Sequence, residues 1–201
     1  VEHLHAHWAT WPALSAWMIS RLTGIPYSVT GHAHDLFLPN PMLARKVADS
    51  RFFATISDFN RDLLIRLCGP AAAGRIRVIR CGLPLDSFRY DAPAGRAGGE
   101  PSRIVSVGRL VDYKGFDVLI RACGILGRSG VPLRCVIVGD GPERARLARL
   151  AGDPDLHGVV EFKGERLQRE VLEILTGADL FVLACAPGRD GLQDGIPIAL
   201  M

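Results

Sequence analysis

The chain has 201 residues, 48% of them hydrophobic and 22% charged, enough apolar content for one good core or two modest ones and too much for a disordered chain. Its 24 Lys and Arg against 21 Asp and Glu leave a formal net charge of +3. That is too mild and too evenly spread for a nucleic-acid footprint, which needs basic residues clustered on one face, so an anionic partner would be met by a few placed cations.

The five cysteines, Cys68, Cys81, Cys123, Cys135 and Cys185, are odd in number and far apart, unlike a disulfide framework or a paired zinc site, and they point to a reducing, cytosolic location. No apolar run reaches the roughly 18 residues of a membrane span, and no signal peptide opens the chain. Peripheral contact with the inner face of a plasma membrane stays open. The first residues, VEHLHAHWA, read as the inside of a strand and GIPIALM as the first turn of a helix, so a fragment of a longer protein is expected.

In chain order, the first part alternates strand candidates at 2–7, 26–30, 52–56 and 76–80 with helix candidates at 12–23, 41–49 and 58–68. Five of the six histidines, His3, His5, His7, His32 and His34, fall in this part. On a strand the first three share a face, a spacing compatible with metal ligation beside His32, His34 and Asp35. A metal-dependent hydrolase is therefore an alternative reading, although no fixed fourth ligand accompanies the triplet. Trp8, Trp11 and Trp17 lie near one helix start and are expected to pack the core.

The stretch DAPAGRAGGEPS, 91–102, has no periodicity and reads as a linker between a first domain at 1–90 and a second at 103–201. From Arg103 the alternation sharpens. RIVSVG is a β-branched strand run, and FDVLIRACGILGR sets Phe116, Leu119, Ile120 and Cys123 at helical spacing. RCVIVG (134–139) with ERARLARLAG, VVEFKG (159–164) with LQREVLEILTGA, and DLFVLACA (179–186) repeat the pair. Strands alternating with helices of this length imply parallel α/β sheets, and two such units would face a cleft.

In an open parallel sheet, ligands bind beyond the carboxyl ends of the strands. The loops GRLVDYKG, GDGP, KGE and APGRDGLQDG all fall there. Arg109 and Lys114 would offer a donor fork and a point charge to a diphosphate, with Gly108 and Gly115 admitting a close backbone approach. GDGPER is only a partial dinucleotide fingerprint and reads as a tight turn with Pro142 opening a helix. A Gly-Lys-Ser/Thr phosphate loop is absent from the sequence.

Together SVGRLVDYKGFDVLIRA, VGDGPERARL, VEFKGE and DGIPIALM resemble the donor-binding domain of family 4 glycosyltransferases of GT-B fold. HLHAHWATWPALSAWMISRLTGIPYSVTGHAHDLF, ATISDFNRDLL and VIRCGLPLDSF resemble its acceptor-side domain, notably the bacterial cell-surface polysaccharide and lipopolysaccharide branch. The resemblance implies two Rossmann-like domains, both truncated, and a retaining, hexosyl-type transfer from a nucleotide diphosphate sugar to the hydroxyl of a glycan or lipid-linked acceptor, with no metal or other cofactor.

Arg109 and Lys114 match the family's diphosphate pair, Gly108, Gly139 and Gly141 the turns lining the nucleotide, and Phe162, Lys163 and Gly164 the segment passing the base. Asp194 stands where the family's first acidic residue contacts the donor sugar, one methylene shorter, and the position of the second lies past Met201. Gly195 and Ile196 would present backbone N–H groups to sugar and phosphate. His32 matches the histidine near the donor sugar, with His34 as neighbouring candidate. The 201 residues alone are expected to be inactive. A non-catalytic sugar-nucleotide-binding protein and a GT-B epimerase or phosphorylase remain as further alternatives.

Overall fold

The structure, a computed structural model, describes residues 1–83, 100–156, 158–194 and 197–200. The chain divides into two compact units, Val1–Gly82 with Asp190–Ala199, and Leu83–Arg189 with Leu200. Most of the expected linker, residues 91–99, lies outside the described residues. The expected second domain continues to Met201, whereas Asp190–Ala199 groups with the first unit.

The first unit is a four-stranded parallel sheet in the order β1 (Leu4–His7), β2 (Tyr27–Gly31), β3 (Phe53–Thr55), β4 (Ile76–Val78). Register is set by Leu4 opposite Tyr27, Val29 opposite Phe53 and Phe53 opposite Ile76. The two inner strands are buried on both faces, Tyr27, Ser28 and Val29 in one and Phe53, Ala54 and Thr55 in the other, because helices cover each side of a parallel sheet. Helix α1 (Trp11–Thr23) opens with Pro12 in its first turn and closes on Gly24, whose φ of 75° lets its N–H return to Ser20 O.

After β2 comes a single turn, α2 (His34–Phe37), which the periodicity does not show; α3 (Leu43–Asp49) and α4 (Asp58–Cys68) come next. The Ser57 hydroxyl caps α4 by accepting from Asn60 N at 3.1 Å. The core gathers Ala13 and Ala16 of α1 with Tyr27, Val29, Val47, Phe53 and Leu64. The tryptophans do not lead it. Trp11 is 77% exposed and Trp8 44%, while half-buried Trp17 spends its indole N–H on Asp49 Oδ2 at 2.9 Å.

In the second unit, β5 (Ser102–Val107), α5 (Phe116–Arg128), β6 (Leu133–Val138), α6 (Arg144–Ala151), β7 (Val160–Gly164), α7 (Gln168–Thr176) and β8 (Leu180–Phe181) form a parallel sheet of order β7-β6-β5-β8. The chain lays β6 and β7 to one side of β5, then crosses to put β8 on the other. The strand order therefore reverses between β5 and β8. Phe116, Leu119, Ile120 and Cys123 form the buried stripe of α5, packed on Ile104, Cys135 and Ile137.

Strand β8 is shorter than the expected 179–186. It pairs only through Ile104 with Leu180 and Val105 with Phe181, and Val182 N adds one bond to Val105 O at 3.0 Å. The chain then leaves the ladder to lie on the turn between β5 and α5, where Ala186 N reaches Tyr113 O at 3.1 Å. Gly115 permits this. Its φ is 67°, and a Cβ there would stand 1.7 Å from Ala184 O.

Gly115→Ala should therefore cost about 3 kcal/mol or more, since backbone must shift on top of the left-handed strain. Gly24→Ala, at φ 75° with nothing within 4 Å of the added carbon, should cost only about 1 kcal/mol. Urea unfolding of the two variants checks the difference.

Candidate functional site

At the carboxyl edge of the second sheet the loops after β5, β6 and β7 are joined main chain to main chain. Gly108 N donates to Val138 O at 3.0 Å, Leu110 N to Asp140 O at 2.9 Å, Glu143 N to Leu110 O at 3.0 Å, and Gly139 N to Gly164 O at 2.8 Å. So close an approach requires bare α-carbons. A Cβ at Gly139 would lie 2.0 Å from Gly108 O, and one at Gly141 2.5 Å from Leu110 O, both at positive φ. Gly139 and Gly141 are thus glycine for the sake of the neighbouring loop.

Over this joined rim is an open depression of about 550 Å³ lined by Arg109, Gly139, Asp140, Gly141 and Glu165. Arg109 is exposed, and neither its guanidinium nor the Glu165 carboxylate has a hydrogen bond or ion pair among the described residues. Asp140 turns Oδ1 onto Gly141 N at 2.6 Å. Half-buried Lys114 stands five residues after Arg109 in the β5–α5 turn, its Cδ and Cε 3.9 Å from where a Cβ on Gly108 would be. It is not part of the depression's lining.

Between the two cations, Asp112 ties the loop after β5 to the one after β8. Its Oδ2 accepts from Arg189 N at 2.9 Å and its Oδ1 from Tyr113 N at 2.8 Å. These bonds, the one from Arg189 foremost, hold its carboxyl below the usual range.

The segment Phe162–Gly164 lies in β7. Phe162 packs on the core with the Arg144 guanidinium 4.2 Å over its ring, while Lys163 pairs with Glu161, which also takes Arg134 at 2.9 Å. Gly164 ends the strand at φ 68°. Asp194 is half-buried and grouped with the first unit; Gly195 and Ile196 lie outside the described residues.

In the first unit the histidines line β1. His3, His5 and His7 share one side, as alternation predicts, and Ser28 stands between the first two, its hydroxyl 2.8 Å from His3 Nε2 and 2.7 Å from His5 Nδ1. His5 Nε2 reaches Thr30 Oγ1 at 2.9 Å, and His7 Nδ1 meets His32 Nε2 at 3.3 Å. These rings spend nitrogens on hydroxyls and on one another. No group of three or more His, Cys, Asp or Glu among the described residues could hold a metal ion. His34 opens α2, half-buried.

Asp35 is 2% exposed and its carboxylate collects backbone donors: Ala9 N at 2.7 Å, Ala33 N at 2.9 Å and His32 N at 3.0 Å. On the other side of Ala9, the carbonyl accepts from Lys46 Nζ at 2.6 Å and Asn40 Nδ2 at 3.1 Å. Lys46 is also 2% exposed, and that burial lowers its pKa against the opposing pull of Asp35. The loops after β1 and β2 are thereby fixed to each other.

The glycosyl transferases group 1 family model matches residues 91–201, more than half the chain. The chain belongs to this family. The resemblance read from its motifs is borne out. The chain is 40% identical over 127 residues to a putative colanic acid biosynthesis glycosyltransferase, WcaL, of Escherichia coli (strain K12), covering 63% of this chain and 31% of that protein. It is 35% identical over 157 residues to the amylovoran biosynthesis glycosyltransferase AmsK of Erwinia amylovora, covering 78% and 38%. The chain thus spans about a third of the length of these relatives.

Among solved structures, Anabaena Alr3699/HepE in complex with UDP and glucose superposes with a TM-score of 0.73 at 17% identity, over 93% of this chain and 54% of that one. That likeness places the two parallel α/β sheets in the GT-B fold. No helix among the described residues is long and apolar enough to cross a membrane.

Some contributors escape a reading of motifs. Glu165 and Asp140 sit in the expected loops but carry no spacing signal, and Asp112 reads as a spacer between two cations. Asp35 suggests a ligand, whereas the structure makes it the acceptor for three peptide N–H groups.

The histidine cluster has a consequence for pH. Burial foremost, then the charges of His7 and His3, lowers the pKa of His5, and burial foremost lowers that of His32, with His7 adding and Asp35 opposing. A base with a depressed folded-state pKa takes its proton more readily when unfolded. Stability is therefore full above the free imidazole value of about 6.5 and falls as pH drops through it. Thermal unfolding between about pH 8 and about pH 5 should show this loss, and His5→Gln should reduce its slope.

Proposed function

We propose that this chain carries the nucleotide-sugar-binding part of an enzyme that transfers a sugar from a nucleotide diphosphate sugar to an acceptor hydroxyl during assembly of a cell-surface polysaccharide. One observation carries the reading: an exposed Arg109 guanidinium, unpaired among the described residues, stands over a depression at the carboxyl edge of a parallel sheet. A guanidinium left open in a loop fixed by backbone bonds is preorganised for an anion, and a diphosphate matches its donor fork. Lys114 and the N-terminus of α5, which begins at the end of the same loop, add positive potential.

As the bond from the anomeric carbon to the β-phosphate oxygen breaks, its electron pair goes to that oxygen. Fixed cations and helix N–H groups then stabilise the leaving diphosphate, the job a divalent ion does in metal-dependent sites. Retention of configuration, a hexosyl donor and the absence of a metal belong to this proposal. The colanic acid and amylovoran names of the relatives, and the UDP and glucose in the Anabaena structure, support the polysaccharide and nucleotide-sugar parts. We place the enzyme in the cytoplasm, in peripheral contact with the membrane where a lipid-linked acceptor would reside. His32 would serve the sugar side of the reaction and Asp194 the donor sugar.

Arg109→Ala and Lys114→Ala should each weaken binding of UDP or GDP about tenfold or more, about 1.4 kcal/mol, with unchanged unfolding midpoints. Calorimetric titration of the intact protein decides it, and unaltered affinity in both variants would sink the assignment.

A further inference from the structure

The stretch ATISDFNRDLL has no part in the nucleotide-binding reading, yet one of its side chains reaches the loop after β2. Asn60 stands in the first turn of α4 and is 0% exposed. Its backbone N–H is taken by the Ser57 hydroxyl at 3.1 Å, which leaves the side chain to act elsewhere. Asn60 Nδ2 donates to His32 O at 2.7 Å, while Asn60 Oδ1 is buried with no partner among the described residues. Leaving half a buried amide unsatisfied is costly, and turning the amide over would set oxygen against oxygen at His32. The donor half therefore decides how Asn60 sits.

His32 follows β2 directly, past the end of the ladder. With Asn60 on its carbonyl, its N–H goes to Asp35 Oδ1 at 3.0 Å. Both backbone groups of His32 are thus held by buried side chains, one from α2 and one from α4, and α4 is itself anchored in the core by Leu64. A residue gripped on both sides of its α-carbon keeps only its side-chain torsions. Those are limited too, because the ring stacks on His7 at 5.6 Å with 19° between the planes and lies 5.0 Å from the Trp8 ring.

We propose that Asn60 is a positioning residue for His32, fixing its backbone so that the imidazole keeps one orientation against His7 and Trp8. The inference rests on the transferase reading in one respect, that His32 serves the sugar side of the reaction. A ring held this way needs no reorientation when substrate arrives. The titratable groups that act on the imidazole are His7 from β1 and Asp35 from α2; Asn60 carries no charge and reaches the ring only through the backbone. Its loss frees the loop and lets water reach the ring, relieving the burial that holds the His32 pKa down. An Asn60 that merely stabilised the fold would leave the ring as it is.

Imidazole and side-chain amide resonances of the isotope-labelled intact protein, followed between about pH 5 and about pH 8, test it. In the wild-type protein the Asn60 amide signals should move with the same midpoint as the His32 ring. In Asn60→Leu, similar in size and without a donor, the His32 midpoint should rise toward the free value of about 6.5, with the Trp17 indole N–H, bound to Asp49, unmoved. Ser57→Ala is the control: it removes the α4 cap and should lower the melting temperature while leaving the His32 midpoint in place. Where Asn60→Leu fails to fold, the wild-type measurement decides. Asn60 amide signals that ignore the His32 titration, a wild-type midpoint in folded Asn60→Leu, or an equal rise in Ser57→Ala overturns the proposal. Neither sugar nor nucleotide enters this experiment, so its failure leaves the transferase reading standing, and a failure of nucleotide binding at Arg109 leaves the positioning result standing.

Discussion

Three main-chain carbonyls, those of Gly108, Leu110 and Ala184, lie against α-carbons that bear no side chain. The second unit depends on that constraint. Where Gly139 and Gly141 meet the first loop, and where Gly115 meets the segment after β8, the separation is below what any Cβ allows. The loop carrying Arg109 and Lys114 is therefore held from both sides: by β6 through backbone hydrogen bonds, and by the β8 exit through Tyr113 and Asp112. A side chain on such a loop loses little further backbone freedom when it meets a ligand, which is the physical content of preorganisation.

The first unit fixes its loops by different means. Around Ala9 the sequence buries a carboxylate and an ammonium, each hydrogen-bonded to backbone and neither left with an unmatched charge-bearing atom. Burying such groups is costly unless they are fully satisfied, and removing one partner strands the other. The network thus joins the loops after β1 and β2 through one peptide, that of Ala9. A bare α-carbon lets a neighbouring carbonyl come close, whereas a charged bracket holds an otherwise unfavourable backbone such as that of Trp8, whose φ is 82°.

Much of the fold is legible in the sequence because its strands are buried on both faces and its helices on one. The run RIVSVG and the stripe Phe116, Leu119, Ile120, Cys123 could hardly be anything else, and they fall where the periodicity puts them. The reading weakens where a tertiary contact decides. DLFVLACA has the composition of a long strand, yet only Leu180 and Phe181 pair, since the residues after Val182 are drawn to Tyr113 and Gly115. The single turn at His34–Phe37 is too short to show a period. At the sheet edge Arg109 stands over its depression, while Phe162 packs on the core under Arg144 and Lys163 pairs with Glu161. Strand alternation fixes which residues share a face, and it does not say what each face meets.

The histidines show the same limit from the other side. Alternation puts His3, His5 and His7 together, and three imidazoles on one face suggest a metal when ligand count alone is considered. Ser28 and Thr30, directly across the parallel ladder from His5 and His7, supply hydroxyls at hydrogen-bond distance from ring nitrogens of His3 and His5, so the rings are partnered by the neighbouring strand. A nitrogen committed to a hydroxyl is oriented for that bond and held from converging with its neighbours on a common point. What remains open is at the far end, where His7 and His32 share one contact and keep one nitrogen each beside an exposed indole. The two units thus differ at their sheet edges: one carries an exposed Arg109 over a depression, the other the stacked imidazoles of His7 and His32 beside an indole.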